Sequence, residues 1–141
     1  MDMKVRNCRI IKLKFFDDGI DGNLVIAESA KQVPFQIKRV YFINNLKSRK
    51  AVRGKHAHKR LKQVLFCING SFELQLDDGV RRERVLLAKP HMGVYMGSNV
   101  WHTMHNFSPD CVILVLASDF YKEFDYIRNY RDFIDRVNKK K

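Results

Sequence analysis

Short segments rich in β-branched and aromatic residues alternate with turn signals along most of this chain. The turns are "DDGIDG" at 17–22, "NN" at 44–45, "NG" at 69–70, "DDG" at 77–79 and "GSN" at 97–99. Between them the pattern predicts strands at 8–15, 23–28, 36–43, 53–58, 62–68, 71–76, 82–87, 92–96, 100–105 and 111–117. The clearest is the hairpin "QVLFCINGSFELQL", two strands joined around Asn69-Gly70, a pair that readily takes positive φ. "FELQL" alternates apolar and polar residues, as a half-buried strand does.

The last segment follows another period. Tyr126, Ile127, Tyr130, Phe133, Ile134 and Val137 recur at i, i+1, i+4, i+7, i+8 and i+11, one face of a helix. That face should pack on the strands or on a partner subunit. There is no internal repeat, low-complexity tract or linker. The expected fold is one all-β domain over 1–141, a small barrel or jelly roll with a C-terminal α-helix. Closure of the barrel resolves the problem of unpaired strand edges.

With 141 residues and a hydrophobic fraction of 45%, the chain can bury a core of its own. No apolar run reaches the length of a membrane span. The start, "MDMKVRNCRI", has no apolar signal core, so a cytoplasmic location and no membrane partner are expected. Cys8, Cys67 and Cys111 are odd in number and form no C-x-x-C, which fits reduced thiols, the latter two inside apolar runs. Lys and Arg number 27 against 15 acids, a net charge of +12 that favours anionic partners. The excess is scattered, apart from "KKK" at the C-terminus, and makes no basic helix or aromatic-basic RNA motif. A phosphate-bearing small molecule accounts for some of it, and no nucleic-acid partner is expected.

The candidate chemistry lies in "RGKHAHK", residues 53–59. In a strand, His56 and His58 share a face, with Cβ atoms roughly 6–7 Å apart. An inward pair admits two readings. As metal ligands they need a carboxylate and a third histidine. His102 can supply the latter, but Gln63, a neutral and weaker ligand, stands where the carboxylate belongs. As acid and base they need no metal, because imidazole exchanges protons near neutral pH. Arg53 and Tyr41 can then polarise a carbonyl or hold an enediolate oxygen. An outward, inert pair is the third possibility.

Long stretches in order narrow these readings. "PFQIKRVYFI", "RGKHAHKRLKQVLFCINGSFELQLDDG" and "VWHTMHNFSPDCVILVLASDFYKEFDYIRNY" resemble the cupin nucleotide-sugar 3,4-ketoisomerases over about residues 8–133. The resemblance implies a cupin-like jelly roll and an isomerase that moves the keto group of dTDP-4-keto-6-deoxy-D-glucose from carbon 4 to carbon 3. It implies no cofactor and no metal. It makes His56 the base, His58 its companion and Tyr41 an acid or oxyanion donor. It places Arg53, His102, Gln63 and Lys59 at the substrate. His102 resembles the kind of member whose 3-keto product has the galacto configuration, on the way to a 3-amino-3,6-dideoxyhexose made by an aminotransferase. Asp21 stands where an arginine or tyrosine facing the sugar is expected, a departure from the pattern. The resemblance also implies a homodimer that exchanges N-terminal strands. A metal-dependent cupin enzyme on another small molecule is the alternative.

Other residues read as structure. Trp101 is expected to pack at the barrel rim, His91 to sit exposed in a turn, and His105 to face opposite to His102. Arg128 is expected on the solvent side of the terminal helix, with Tyr130 in its core face.

Overall fold

The computed structural model describes residues 2–139. The first seven strands are β1 (Cys8–Lys12), β2 (Lys14–Asp17), β3 (Asn23–Ile26), β4 (Arg39–Ile43), β5 (Arg53–His58), β6 (Gln63–Asn69) and β7 (Phe72–Asp77). Then come β8 (Arg82–Leu87), β9 (Met92–Met96), β10 (Trp101–His105), β11 (Val112–Ala117), β12 (Tyr126–Ile127) and the helix α1 (Tyr130–Lys139). Two five-stranded antiparallel sheets form, in the orders β1-β9-β6-β11-β4 and β12-β5-β10-β7-β8. Their inner faces share one core: Leu65, Val94, Ile113 and Val115 from the first meet Phe72, Leu74, Leu76 and Met104 from the second. This is the expected all-β, cupin-like jelly roll with a terminal helix.

Sequence pattern and burial agree where a strand has one wet face. In β7, Phe72, Leu74 and Leu76 are buried, while Glu73 and Gln75 are less so. The run "VLFCI" in β6 is apolar on both faces for a reason. Its outer residues Val64 and Phe66 are covered by Ile11, Val33 and Leu116. All three cysteines are buried and unbridged.

Several boundaries differ from the expectation. The predicted strand 8–15 breaks at Leu13, whose N–H bonds His91 O at 2.8 Å, so β1 and β2 join different sheets. The strand expected at 36–43 begins only at Arg39. The hairpin expected around Asn69-Gly70 does not form: β6 pairs with β9 and β11 while β7 pairs with β10 and β8, so the turn carries the chain from one sheet to the other. Gly70 alone takes positive φ there, +74°, and Asn69 ends β6 with its side chain on Asp110 O. The helix starts four residues later than its apolar period. Tyr126 and Ile127 are drawn out as a strand against His58 and Ala57 of β5. Asn129 then starts the helix, its Oδ1 accepting from the Asp132 N–H. The helix buries Phe133 and Val137 against Ala57 and Ile127, with Trp101 packed beside them.

The β2–β3 hairpin forms a two-stranded sheet of its own. It exposes Phe15, Phe16 and Leu24, and its tip is a 3-10 turn over Gly19–Asp21. Among the described residues no helix is long and apolar enough to cross a membrane.

Candidate active site

The site begins with an irregularity in β5. Gly54 and Lys55 both take positive φ, +83° and +60°. Against β10 the register shifts there: His102 pairs His56, whereas Thr103 pairs Gly54. The extra residue is a β-bulge. Only glycine suits position 54, because a Cβ would lie 2.8 Å from His102 O. The Gly54 carbonyl thereby stands 3.0 Å from His56 Nδ1. A carbonyl only accepts, so His56 Nδ1 carries the proton and its Nε2 keeps a lone pair.

A cavity of about 390 Å³ opens beside this bulge. Tyr41 and Arg39 line it from β4, Arg53 and His56 from β5, and His102 and Met104 from β10. The segment 121–128 closes one side with Tyr121, Tyr126 and Arg128. The His56 ring lies 4.5 Å from that of His102 and 5.0 Å from that of His58, centroid to centroid. Tyr126 covers both members of the H-x-H pair, at 4.9 and 4.4 Å.

Burial sets the charge state of this cluster. It lowers the pKa of His56, and it drives that of His102 well down, helped by the neighbouring imidazoles. His58 falls to about 4, first by burial and then by His56, against the opposing pull of Asp125. Near neutral pH all three rings are therefore uncharged. Tyr41 moves the other way. Burial raises its pKa, and its hydroxyl oxygen accepts from Gln63 Nε2 at 2.9 Å. With an acceptor site already filled and the proton retained, the phenol O–H is a donor.

Cations ring the opening. Arg39 lies over the Tyr41 ring at 5.5 Å, and its Nε is buried without a partner. Arg128 lies over Tyr126 at 4.2 Å and makes two hydrogen bonds to Glu123, at 2.8 and 2.9 Å. Tyr121 also donates to Glu123.

Of the residues expected at the site, Tyr41, Arg53, His56 and His102 line one cavity. His58 is buried beside His56 rather than on the cavity wall. Gln63 is buried and reaches the site through Tyr41. Lys59 lines an adjoining groove with Arg128, Arg136 and Lys139. Asp21 is exposed at the tip of the β2–β3 hairpin and does not line the cavity. His91 is half-buried, its ring 4.4 Å from that of Phe15, so it is not the exposed residue its turn suggests. His105 bonds Thr103, on the strand face opposite to His102.

Arg39, Tyr121, Tyr126 and Asp125 are not singled out by the sequence. Arg128 is exposed, as expected, but it follows the short strand β12 rather than lying on the helix, and so it reaches the cavity edge. Among the described residues no group of three or more His, Cys, Asp or Glu is arranged to hold a metal ion.

Comparison with known proteins identifies the family. The family model FdtA, described as WxcM-like, C-terminal, matches residues 6–138. The TDP-4-oxo-6-deoxy-alpha-D-glucose-3,4-oxoisomerase of Aneurinibacillus thermoaerophilus is 50% identical over 123 residues, 85% of this chain and 88% of that protein. A His-to-Asn mutant of the QdtA 3,4-ketoisomerase from Thermoanaerobacterium thermosaccharolyticum was solved in complex with TDP-4-keto-6-deoxyglucose. It is 41% identical, with a TM-score of 0.92 over 96% of each chain. The rmlC epimerase of Mycobacterium tuberculosis, at 16% identity, shares the fold alone, with a TM-score of 0.74 over 89% of this chain and 70% of that one. The chain belongs to the FdtA, WxcM-like C-terminal family, and its enzyme relatives are sugar 3,4-ketoisomerases.

Proposed function

We propose that this protein, as one domain over residues 1–141, isomerises dTDP-4-keto-6-deoxy-D-glucose to the 3-keto sugar. The observation that carries the reading is one cavity in which an uncharged His56 stands among arginines with a proton-bearing Tyr41. A base is needed to take the proton on carbon 3, next to the carbonyl. A donor is needed to hold the oxygen that becomes negative. Cations are needed for a diphosphate.

In this mechanism His56 Nε2 removes the carbon 3 proton, and the electron pair moves onto the carbonyl oxygen at carbon 4. Tyr41 donates to the enediolate oxygen so formed. Loss of the hydroxyl proton at carbon 3, protonation of the oxygen on carbon 4 and delivery of a proton to carbon 4 itself complete the transposition. Every proton removed is returned, so no redox partner is required. Arg53, Arg39 and Arg128 meet the diphosphate and sugar, with Lys59 at the groove beside them. Gln63 keeps Tyr41 in place. His102, buried under the cavity, sets the face on which carbon 4 is protonated, and we assign the galacto product to it.

We further propose a cytoplasmic homodimer. Val40 and Phe42 are exposed on the edge strand β4, and the β2–β3 hairpin exposes apolar residues without a third strand. An exchange in which the β2–β3 hairpin of each protomer is laid along β4 of the other covers both. It also gives Asp21 a route to the partner's cavity. Sedimentation of the purified protein at micromolar concentration tests this; a monomer rules the dimer out.

The decisive experiment is proton NMR of the protein with dTDP-4-keto-6-deoxy-D-glucose in deuterated water. A 3-keto sugar with deuterium at carbon 4 is expected, and its couplings report the configuration. An unchanged substrate in the presence of folded protein would falsify the assignment.

A further inference from the structure

Asp125 lies 67 residues beyond His58 in the chain, yet its carboxylate is built around that histidine. It sits at the end of the 3-10 turn Glu123–Asp125, just before β12, and is buried. Oδ1 accepts from the Arg60 N–H at 2.8 Å, and Oδ2 accepts from the Leu61 N–H at 3.2 Å. The same Oδ2 stands 3.1 Å from His58 Nδ1. The Asp125 carbonyl also accepts from the Lys59 N–H at 2.9 Å. The turn that ends β5 is thus wrapped around one side chain.

An ionised carboxylate has no proton to give, so His58 Nδ1 must donate. An uncharged imidazole carries only one N–H. The other nitrogen, Nε2, is then a lone pair, and it is buried without any hydrogen-bond partner. An orphaned acceptor of this kind is costly in a core that is otherwise satisfied. Its ring neighbours are His56 and Tyr126, both on the cavity wall.

We infer that Asp125 is a positioning residue for the ketoisomerisation. It fixes His58 in the Nδ1–H form, so that the nitrogen left for proton transfer is an acceptor. This deepens the proposed function and rests on it. A proton that reaches His56 from carbon 3 then has an acceptor one ring away. The opposite tautomer would present an N–H there and block the transfer. A proton that has exchanged with solvent on these rings is delivered to carbon 4, so one proton leaves carbon 3 for each that reaches carbon 4.

Asp125→Asn reverses this arrangement while keeping the size of the side chain. With the amide oxygen kept on the Arg60 N–H, the shorter of the two backbone bonds, the NH₂ group turns toward His58 and the longer bond from the Leu61 N–H is given up. Nδ1 must then accept, and the ring proton moves to Nε2. Ring-nitrogen NMR on histidine-labelled protein reads the tautomer directly. We expect His58 as Nδ1–H in the wild type and as Nε2–H in D125N. We expect turnover to fall about a thousandfold in D125N, with TDP affinity within about threefold of wild type.

His58→Asn supplies the second arm. Its amide can still donate to Asp125 but lacks the distal nitrogen. D125N should therefore add less than about threefold to the loss already caused by H58N. Additive losses, near-normal turnover of D125N, or a wild-type His58 in the Nε2–H form would each overturn the inference. The last of these needs no variant, so a D125N protein that fails to fold leaves the test intact. If the wild type leaves dTDP-4-keto-6-deoxy-D-glucose unchanged, the substrate reading falls, while the ring spectra still decide what Asp125 does to His58.

Discussion

β5 and β7 flank the same strand, β10, and they are built in opposite ways. β7 is regular: it pairs residue for residue with both neighbours and buries every second side chain. β5 has two consecutive residues at positive φ, a shifted register, and buried ring nitrogens beside it that lack partners. The regular strand serves stability. The irregular one holds groups in conformations that cost stability and gain chemistry. Substitutions in the two strands should therefore separate turnover from folding.

The largest effect is expected from His56→Asn. Turnover should drop about a thousandfold, as for loss of a general base. The melting temperature should hold or rise, because a depressed, desolvated imidazole has been removed. Steady-state assays beside a thermal melt check both. A variant that keeps wild-type turnover removes His56 from the role of base. Leu74→Ala in β7 is the mirror image. Deleting a fully buried leucine should cost about 2–5 kcal/mol in urea unfolding. Turnover per folded molecule should barely change, and a selective loss of activity would blur the contrast between the strands.

Gly54→Ala joins the two behaviours. The residue must keep positive φ, and its Cβ meets the His102 carbonyl, so β10 has to shift. A stability loss of about 1–3 kcal/mol is expected, together with a loss of activity as His56 loses its anchor. An active, wild-type-stable variant would show that the bulge is dispensable.

Acid should discriminate between the strands more gently. His58, His56 and His102 all have lower pKa values in the folded chain than the ordinary 6.5, His58 about 4. Between these values the unfolded chain binds more protons. The stabilisation from keeping the rings neutral is complete above about pH 6.5 and is lost as pH falls toward 4. Replacing His58 with Asn should flatten this part of the stability curve. An unchanged slope would mean that His58 is not held neutral. The smallest effect is expected at Arg128, which is largely exposed and already paired with Glu123. Arg128→Ala should weaken TDP binding about tenfold in calorimetry, close to one charged hydrogen bond. Unaltered affinity would place the diphosphate elsewhere on the ring of cations.

The same contrast explains what the sequence makes legible. The alternation in "FELQL" is local and survives into β7 unchanged. The H-x-H pair is also local, and the strand period correctly puts both rings on one face. The bulge is less visible, because Lys55 at positive φ has no signature in its residue type. Asp125 and Arg128 are invisible for another reason. Their places beside His58 and at the cavity exist only once Tyr126 and Ile127 pair with β5, and that pairing overrides a sound helical period. Asp21 stays at the exposed tip of the β2–β3 hairpin, away from the cavity.

β12 has two residues, and on it depend the cover of the histidines, the carboxylate that precedes it and the arginine that follows. Such a strand is held by few bonds at the edge of its sheet. It should open in a local fluctuation well below the free energy of global unfolding, while β10 and β7 stay protected. Amide exchange near Tyr126 would then be fast in the free protein and slow with nucleotide bound. The barrel should then stay folded while the site is open, and activity should be lost at a lower temperature than the fold that carries it.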